Sequence, residues 1–349
     1  MLKKFLAVLL CMAVFCLAGC SGAKDTGSNA ETTSKPQTES KPEPKPTVFV
    51  NPLTGLENLE SEEIAYRRPV AVMINNISVA QKVQTGLTQA DIVYETEVEG
   101  GITRLMAVFQ DITKVQQFGT VRSARYPYVD LAMGHNAIYV HHGQDNTYCA
   151  PHLKDTQAFT IHENNAGARI KNGLATEHTL YGYGPKLWEW FQTKTKFDLD
   201  LDSVKTWQNF AKANESLKLS GGAATNVSVP FSGSYKSVFK YDEVNKKYVR
   251  YFKDTERLDY LTSAPEYFKN VFVLITDITN YPDGYHRQVA LESGEGWYCV
   301  NGTYMPILWS KGDAEDSLKF TDLNGKTLKV NQGNSWVCIA KKSTNVTFE

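Results

Sequence analysis

Residues 21–47, SGAKDTGSNAETTSKPQTESKPEPKPT, hold no apolar side chain beyond two alanines and the recurring prolines. Such a stretch cannot bury a core and is expected to stay disordered. Anything that packs must therefore begin near Val48. The stretch would reach about 80 Å in polyproline extension and about 28 Å as a coil. It is long enough to hold a folded body away from whatever its other end is fixed to.

What lies before it supplies that fixture. Lys3 and Lys4 form a short basic region, and FLAVLLCMAVFCLA follows at residues 5–18. The run is shorter than the ~20 residues that span a bilayer comfortably, and it reads as the core of a secretory signal. Leu17-Ala18-Gly19-Cys20 resembles the bacterial lipobox, which implies cleavage before Cys20 and a diacylglyceryl thioether on its sulfur. Residues 1–19 are then a lipoprotein signal peptide, and residues 20–47 are the lipidated cysteine and its tether. The acyl chains, at about 0.8 kcal/mol per buried CH₂, would hold the chain on the extracytoplasmic face of the cell membrane. Loss of Lys3 and Lys4 takes the formal net charge from −1 to −3. Cys149, Cys299 and Cys338 remain besides Cys20. An odd count leaves at least one unpaired within the chain, and Cys299 and Cys338, both on strand-like segments, could bridge.

The 349 residues are 42% hydrophobic, enough for packed cores, and the length suggests two domains. A near-neutral charge excludes the basic stripe that nucleic acid requires. VAVMIN, residues 70–75, and AIYVHH, residues 137–142, read as buried strands. ADIVYETEVE, residues 90–99, alternates, with Asp91, Val93, Glu95, Glu97 and Glu99 on one face. Gly100-Gly101 then reads as a two-residue hairpin turn, which would set Glu97 opposite Arg104. Helical patterns are expected near 125–134 and 184–193. After Gly221-Gly222 strand-like runs dominate, and Asn301-Gly302 is a type I′ hairpin signal. The fold class expected is α+β: a mixed α/β domain over 48–221, then a mainly-β domain over 222–349.

No Gly-rich phosphate loop, G-x-S-x-G, H-E-x-x-H or zinc-type cysteine spacing is present. No cofactor is implied. The chemistry centres instead on GTVRSARYP, residues 119–127. Ser123 reads as the N-cap of a short helix, which sets Arg122 and Arg125 at its positive end, where cations are disfavoured and anions attracted. Their counterion is either internal, Glu95 or Glu99, or an external phosphate or carboxylate. Arg104 has a structural reason of its own, opposite Glu97. Six of the seven histidines fall between 135 and 178, but their spacing completes no known metal triad. His141, ending a buried run before Gly143, is the one best placed for a pocket.

RRPVAVMINN, QTGLTQADIVYETEVEGGITRLMAVFQ, FGTVRSARYPYVDLA and the strand ending at His141 together resemble the YerB-like lipoproteins of Gram-positive bacteria, a family described by two domains of unknown function. KYDEVNKKYVRYF, KNVFVLITDI and NQGNSWVCIA are similar to the family's second domain. The resemblance implies that Glu95, Glu99, Arg104, Arg122, Ser123, Arg125 and His141 occupy its characteristic positions. His178 and Tyr181 match a further motif, while Glu177 and Thr179 depart from it. Arg257 stands where the family usually has a histidine, with Asp259 retained. No established reaction comes with the resemblance.

Three readings stay open. The first is an envelope binding module that holds an anionic wall polymer, or a membrane protein that builds peptidoglycan, through Arg122, Ser123, Arg125, Arg104 and His178. The second is an envelope hydrolase or transferase acting on a phosphate- or glycan-containing substrate, with Glu95, Glu99 and His141 as its acid–base groups. The third is a structural role in which the β-rich region holds a partner protein.

Overall fold

The computed structural model describes residues 48–349 apart from residues 155 and 195. The signal peptide, Cys20 and the tether expected over 1–47 lie outside the described residues.

In the first half of the body, strands β1 (Val70–Ile74), β2 (Ile92–Glu97) and β3 (Thr103–Phe109) precede helix α1 (Tyr126–Met133). Strands β4 (Ile138–His141) and β5 (Ala158–Thr160) follow, then helix α2 (Gly184–Gln192). In the second half come β6 (Asn226–Pro230), β7 (Lys236–Asp242), β8 (Lys247–Phe252), β9 (Asn270–Thr276), β10 (Ser293–Val300), β11 (Thr303–Ser310) and β12 (Ser335–Lys341). All the α-helices among the described residues precede residue 222.

One large sheet runs through both halves in the order β11-β10-β9-β12-β2-β3-β1-β4-β5. Its joint is β12, which lies parallel to β9 on one side and parallel to β2 on the other, with Ser335 opposite Ile92 and Ile339 opposite Thr96. The sheet therefore continues past the expected boundary near residue 221. A second, smaller sheet contains β8, β7 and β6 in that order.

Alternation divides the large sheet into two faces. Val72, Val93, Val273, Trp336 and Cys338 face Val227, Phe239 and Phe268 of the smaller sheet's side, and the same core takes in Leu187 and Phe191 of α2. Met73, Tyr94, Phe272, Val337 and Ile339 face the other way, onto Tyr128, Val129 and Leu131 of α1. Full burial of each large apolar side chain contributes about 1.5–3 kcal/mol. Both cores are built within one compact unit, so this body holds what it needs to fold without the segment before it.

Three local expectations change. The β2–β3 turn is longer than two residues: Val98 N–H bonds the Ile102 carbonyl, and Glu97 sits opposite Thr103. Gly100 and Gly101 both adopt positive φ, 71° and 68°, and the short 3₁₀ turn Glu99–Gly101 lifts Glu99 off the strand. Arg104 consequently pairs with Thr96 in register, one step from the position facing Glu97. Ser123 is not the cap of α1. Arg125 takes the N-cap place, with Pro127 in the first turn and no side-chain cap. Cys299 and Cys338 do not bridge: they are free and buried, opposite Val271 and Val273 of the intervening β9.

Candidate functional site

β1 and β4 are parallel neighbours, so their carboxyl ends lie at one edge of the sheet, where open α/β sheets commonly take ligands. The stretch from Thr120 to Ala124 threads between those ends. Asn75 N–H bonds the Thr120 carbonyl at 2.8 Å and Arg122 N–H bonds that of Met73 at 3.1 Å. On the other side, His142 N–H reaches Arg122 O at 3.0 Å and Ala124 N–H reaches Gly143 O at 2.9 Å. The segment approaches so closely that a Cβ on Gly143, whose φ is +78°, would lie 3.0 Å from Ser123 Oγ. Sheet ladders on both sides thus fix the backbone that carries Arg122, Ser123 and Arg125.

Glu99 is the counterion of Arg125. Nε donates to Oε2 at 2.8 Å, and Nη2 makes a second, shorter bond to Oε1. Arg104 Nη2 reaches the same Oε1 at 3.2 Å, while its Nη1 donates to Ser123 O at 2.6 Å. Burial alone would raise the Glu99 carboxyl, but the bonds from Arg125 and the charges of both arginines outweigh it and bring the pKa down to about 2. Arg104 is lowered to about 10, first by burial and then by the like charge of Arg125, with Glu99 opposing.

Arg122 is held more loosely. Its Nη1 donates to the Glu177 carbonyl at 3.0 Å, and the exposed Glu177 carboxylate stands 3.5 Å away. Among the described residues its other guanidinium N–H groups meet no protein acceptor. His178 sits beside it, with Asn75 Nδ2 donating to its Nδ1 at 2.9 Å and its Nε2 3.1 Å from Glu177. Burial lowers the His178 pKa, Glu177 opposes, and the Arg122 charge adds to the lowering. Three guanidiniums therefore share one buried carboxylate and one exposed carboxylate.

His141 is 1% exposed, and its Nδ1 bonds Gly143 O at 2.8 Å. Burial lowers its pKa, so a neutral ring braces the loop that Ser123 packs on. Of the other clustered histidines, His135 meets Tyr94 Oη at 2.7 Å and His142 meets Arg169 Nη2 at 3.1 Å. Glu95 lies elsewhere. Its carboxylate is sealed between the two sheets, where Thr103, Asn76, Ser237 and Trp336 donate to it at 2.7–3.2 Å. Burial pushes its pKa up, with Arg250 opposing. Glu97 has a third environment, bonded to Arg287 at 2.8 Å and Lys341 at 3.3 Å. The shared strand face of Glu95, Glu97 and Glu99 thus resolves into three separate ion clusters.

Sequence reasoning missed a contact bordering the site. His286 lies between Asp145, at 3.4 Å, and Asp283, at 2.6 Å, while Tyr148 stacks on Tyr281 with ring centroids 3.8 Å apart. These side chains close a small cleft that Glu99 and Arg125 line. His286 stands apart from the other six histidines in sequence, and no local pattern links loop 145–148 to residues 281–286.

Comparison with known proteins places this geometry in a family. The N-terminal domain of the protein family of unknown function DUF3048 matches residues 53–198, and the C-terminal domain of the same family matches residues 227–337. YerB of Bacillus subtilis (strain 168), which carries a lipoprotein name, is 27% identical over 369 residues, covering 97% of this chain and 96% of YerB. The crystal structure of the YerB protein from Bacillus subtilis superposes with a TM-score of 0.70 at 24% identity, over 86% of this chain and 99% of that one, a likeness in fold. With both domain models matched in order along most of the folded body, the chain belongs to the two-domain DUF3048 family, the YerB-like proteins.

Proposed function

We propose that this chain is a lipid-anchored protein of the cell envelope, on the extracytoplasmic face of the membrane, whose body binds an anionic wall polymer at the Arg104–Arg122–Arg125 cluster. The lipobox-like LAGC and the lipoprotein name of its relative support the anchoring. The observation that carries the binding is the charge imbalance: Glu99 serves Arg104 and Arg125 together, and Arg122 keeps free donors beside Ser123 and His178. Planar guanidinium forks suit phosphate and carboxylate oxygens, and here the backbone that carries them is fixed before any ligand arrives.

The hydrolase or transferase reading has less to draw on. Glu95 is sealed away from the cluster, Glu99 is held ionised by two arginines, and His141 is buried. The experiment is to measure binding of residues 48–349 to purified poly(glycerol phosphate), with a neutral glucan as control. Arg122→Ala is expected to weaken binding at least tenfold and Arg122→Lys to weaken it less. Equal affinity for all three forms, or for the neutral glucan, would sink the proposal.

A further inference from the structure

Of the eleven large apolar side chains exposed among the described residues, three fall within one four-residue stretch: Leu258, Tyr260 and Leu261, at 43%, 46% and 48%. A fourth, Val79, is 50% exposed on the 3₁₀ helix Ser78–Val83, against which that stretch is pinned. The pinning is extensive. Arg257 donates to the Gln81 carbonyl, and Tyr260 N–H to that of Gln84 at 2.7 Å. The carboxylate of Asp259 accepts from Gly86 N–H at 2.7 Å and Thr85 Oγ1 at 3.0 Å on one side. On the other it accepts from the N–H groups of Leu261 and Thr262, both at 3.0 Å.

Both charged residues of the stretch from Arg257 to Ala264 are thereby turned inward, at 7% and 3% exposure. What remains outside is apolar and hydroxyl surface with no charge. Lys82, exposed and three residues from Val79 on a 3₁₀ helix, lies on the same side as that valine. A loop free to move would fold these side chains down. This one is held by buried charges so that they stay out, at a cost in apolar exposure that a water-only surface would not require.

We propose that this tip, Leu258–Tyr260–Leu261 with Val79 and Lys82, is a second membrane contact that seats the body on an anionic bilayer surface. Leucine and valine side chains enter the acyl boundary, a tyrosine sits with its ring inside and its hydroxyl wet, and a lysine meets the headgroups. The partner is a lipid surface because the exposed face combines apolar tips with the cation of Lys82, while the carboxylate that borders it, Glu256, accepts from Tyr251 Oη at 3.3 Å. The occasion comes from the anchoring in the proposed function, on which this inference partly rests. The tether expected over residues 21–47, about 28 Å as a coil, would keep the body within reach of the bilayer that Cys20 would enter.

The test uses residues 48–349, which lack the anchor, so its failure leaves the polymer-binding result untouched. Co-sedimentation with phosphatidylglycerol vesicles is expected, and the triple variant Leu258→Ser, Tyr260→Ser, Leu261→Ser should lower the partition coefficient at least tenfold. Leu323→Ser, at an even more exposed apolar site elsewhere on the body, should leave it unchanged. An environment-sensitive dye on Leu261→Cys should shift to the blue on adding vesicles, and the same dye on Leu323→Cys should not, which reads the contact even where the triple variant folds poorly. No partitioning of the parent, equal partitioning of the triple variant, or a blue shift at both positions would overturn the inference. So would a concentration-dependent dimer that the triple variant abolishes, which would assign the face to a second copy of the chain.

Discussion

Glu95 and Glu99 stand four residues apart near the end of one strand, and each feels the charge of an arginine, yet their surroundings are opposite. Glu95 is covered by the smaller sheet, in a sealed network that also holds Arg250, 0% exposed, its partner Glu266 at 2.9 Å, and the Trp336 ring 4.4 Å from the guanidinium. Glu99 lies past the strand, where the glycine turn swings it to Arg104 and Arg125 at the half-open sheet edge. The first cluster holds one arginine against two carboxylates and has no access. The second has surplus positive charge and an arginine at the surface. A buried ion network fixes which packing the chain adopts but is seldom a source of net stability over an apolar replacement. A surplus of charge at an accessible edge is what a ligand can use.

The contrast breaks most visibly at Arg250. Arg250→Ala would strand Glu266, and leave Asn76 Oδ1 without its Arg250 bond, between the two sheets. A loss of about 3–5 kcal/mol is expected, read by urea unfolding, while the site's polymer affinity per folded molecule stays at the parent value. Parent-like stability would show that the network is not sealed.

A smaller effect, about 1.5–3 kcal/mol at neutral pH, is expected for Glu99→Gln, which removes bonds to two charged donors. Its pH dependence sharpens the comparison. The folded-state pKa of Glu99 is depressed to about 2 from an ordinary 4.5, so its stabilisation is complete above pH 4.5 and drains away as pH falls toward 2. The stability gap between parent and Glu99→Gln should close over that window. A gap that holds constant down to pH 2 would place the ion pair elsewhere.

The smallest expected effect on stability is that of Arg122→Ala, within about 0.5 kcal/mol, since Arg122 is only partly buried and its carboxylate partner lies in solvent. Its cost should appear in ligand affinity instead. A stability loss near that of Arg250→Ala would make Arg122 a packing residue and leave the site without its free donor.

Much of the local structure was legible because it depends on neighbours in the chain. The runs at 70–75 and 137–142 became β1 and β4, and Asn301-Gly302 turns with φ of 51° and 71°, as a type I′ hairpin needs. Arg122, Ser123, Arg125, Arg104, Glu99, His141 and His178 do gather around one sheet edge. The register of the β2–β3 turn was misjudged because two consecutive glycines admit more than one turn, and only the packing of Glu99 against Arg125 decides among them. Glu95 was grouped with Glu99 by alternation, which assigns a face but not the layer that covers it.

Taken alone, the sequence determined which segments are extended and which side chains carry the charge of GTVRSARYP, because composition and periodicity act over a few residues. Only the tertiary structure decided that Ser335–Lys341 inserts beside Ile92–Glu97 to make one sheet of the two halves, that Arg250 and Trp336 seal Glu95, and that Glu99 leaves Arg122 free. Those outcomes depend on which distant strands and loops pack together, over separations as long as the 241 residues between Glu95 and Trp336, and no local pattern encodes that choice.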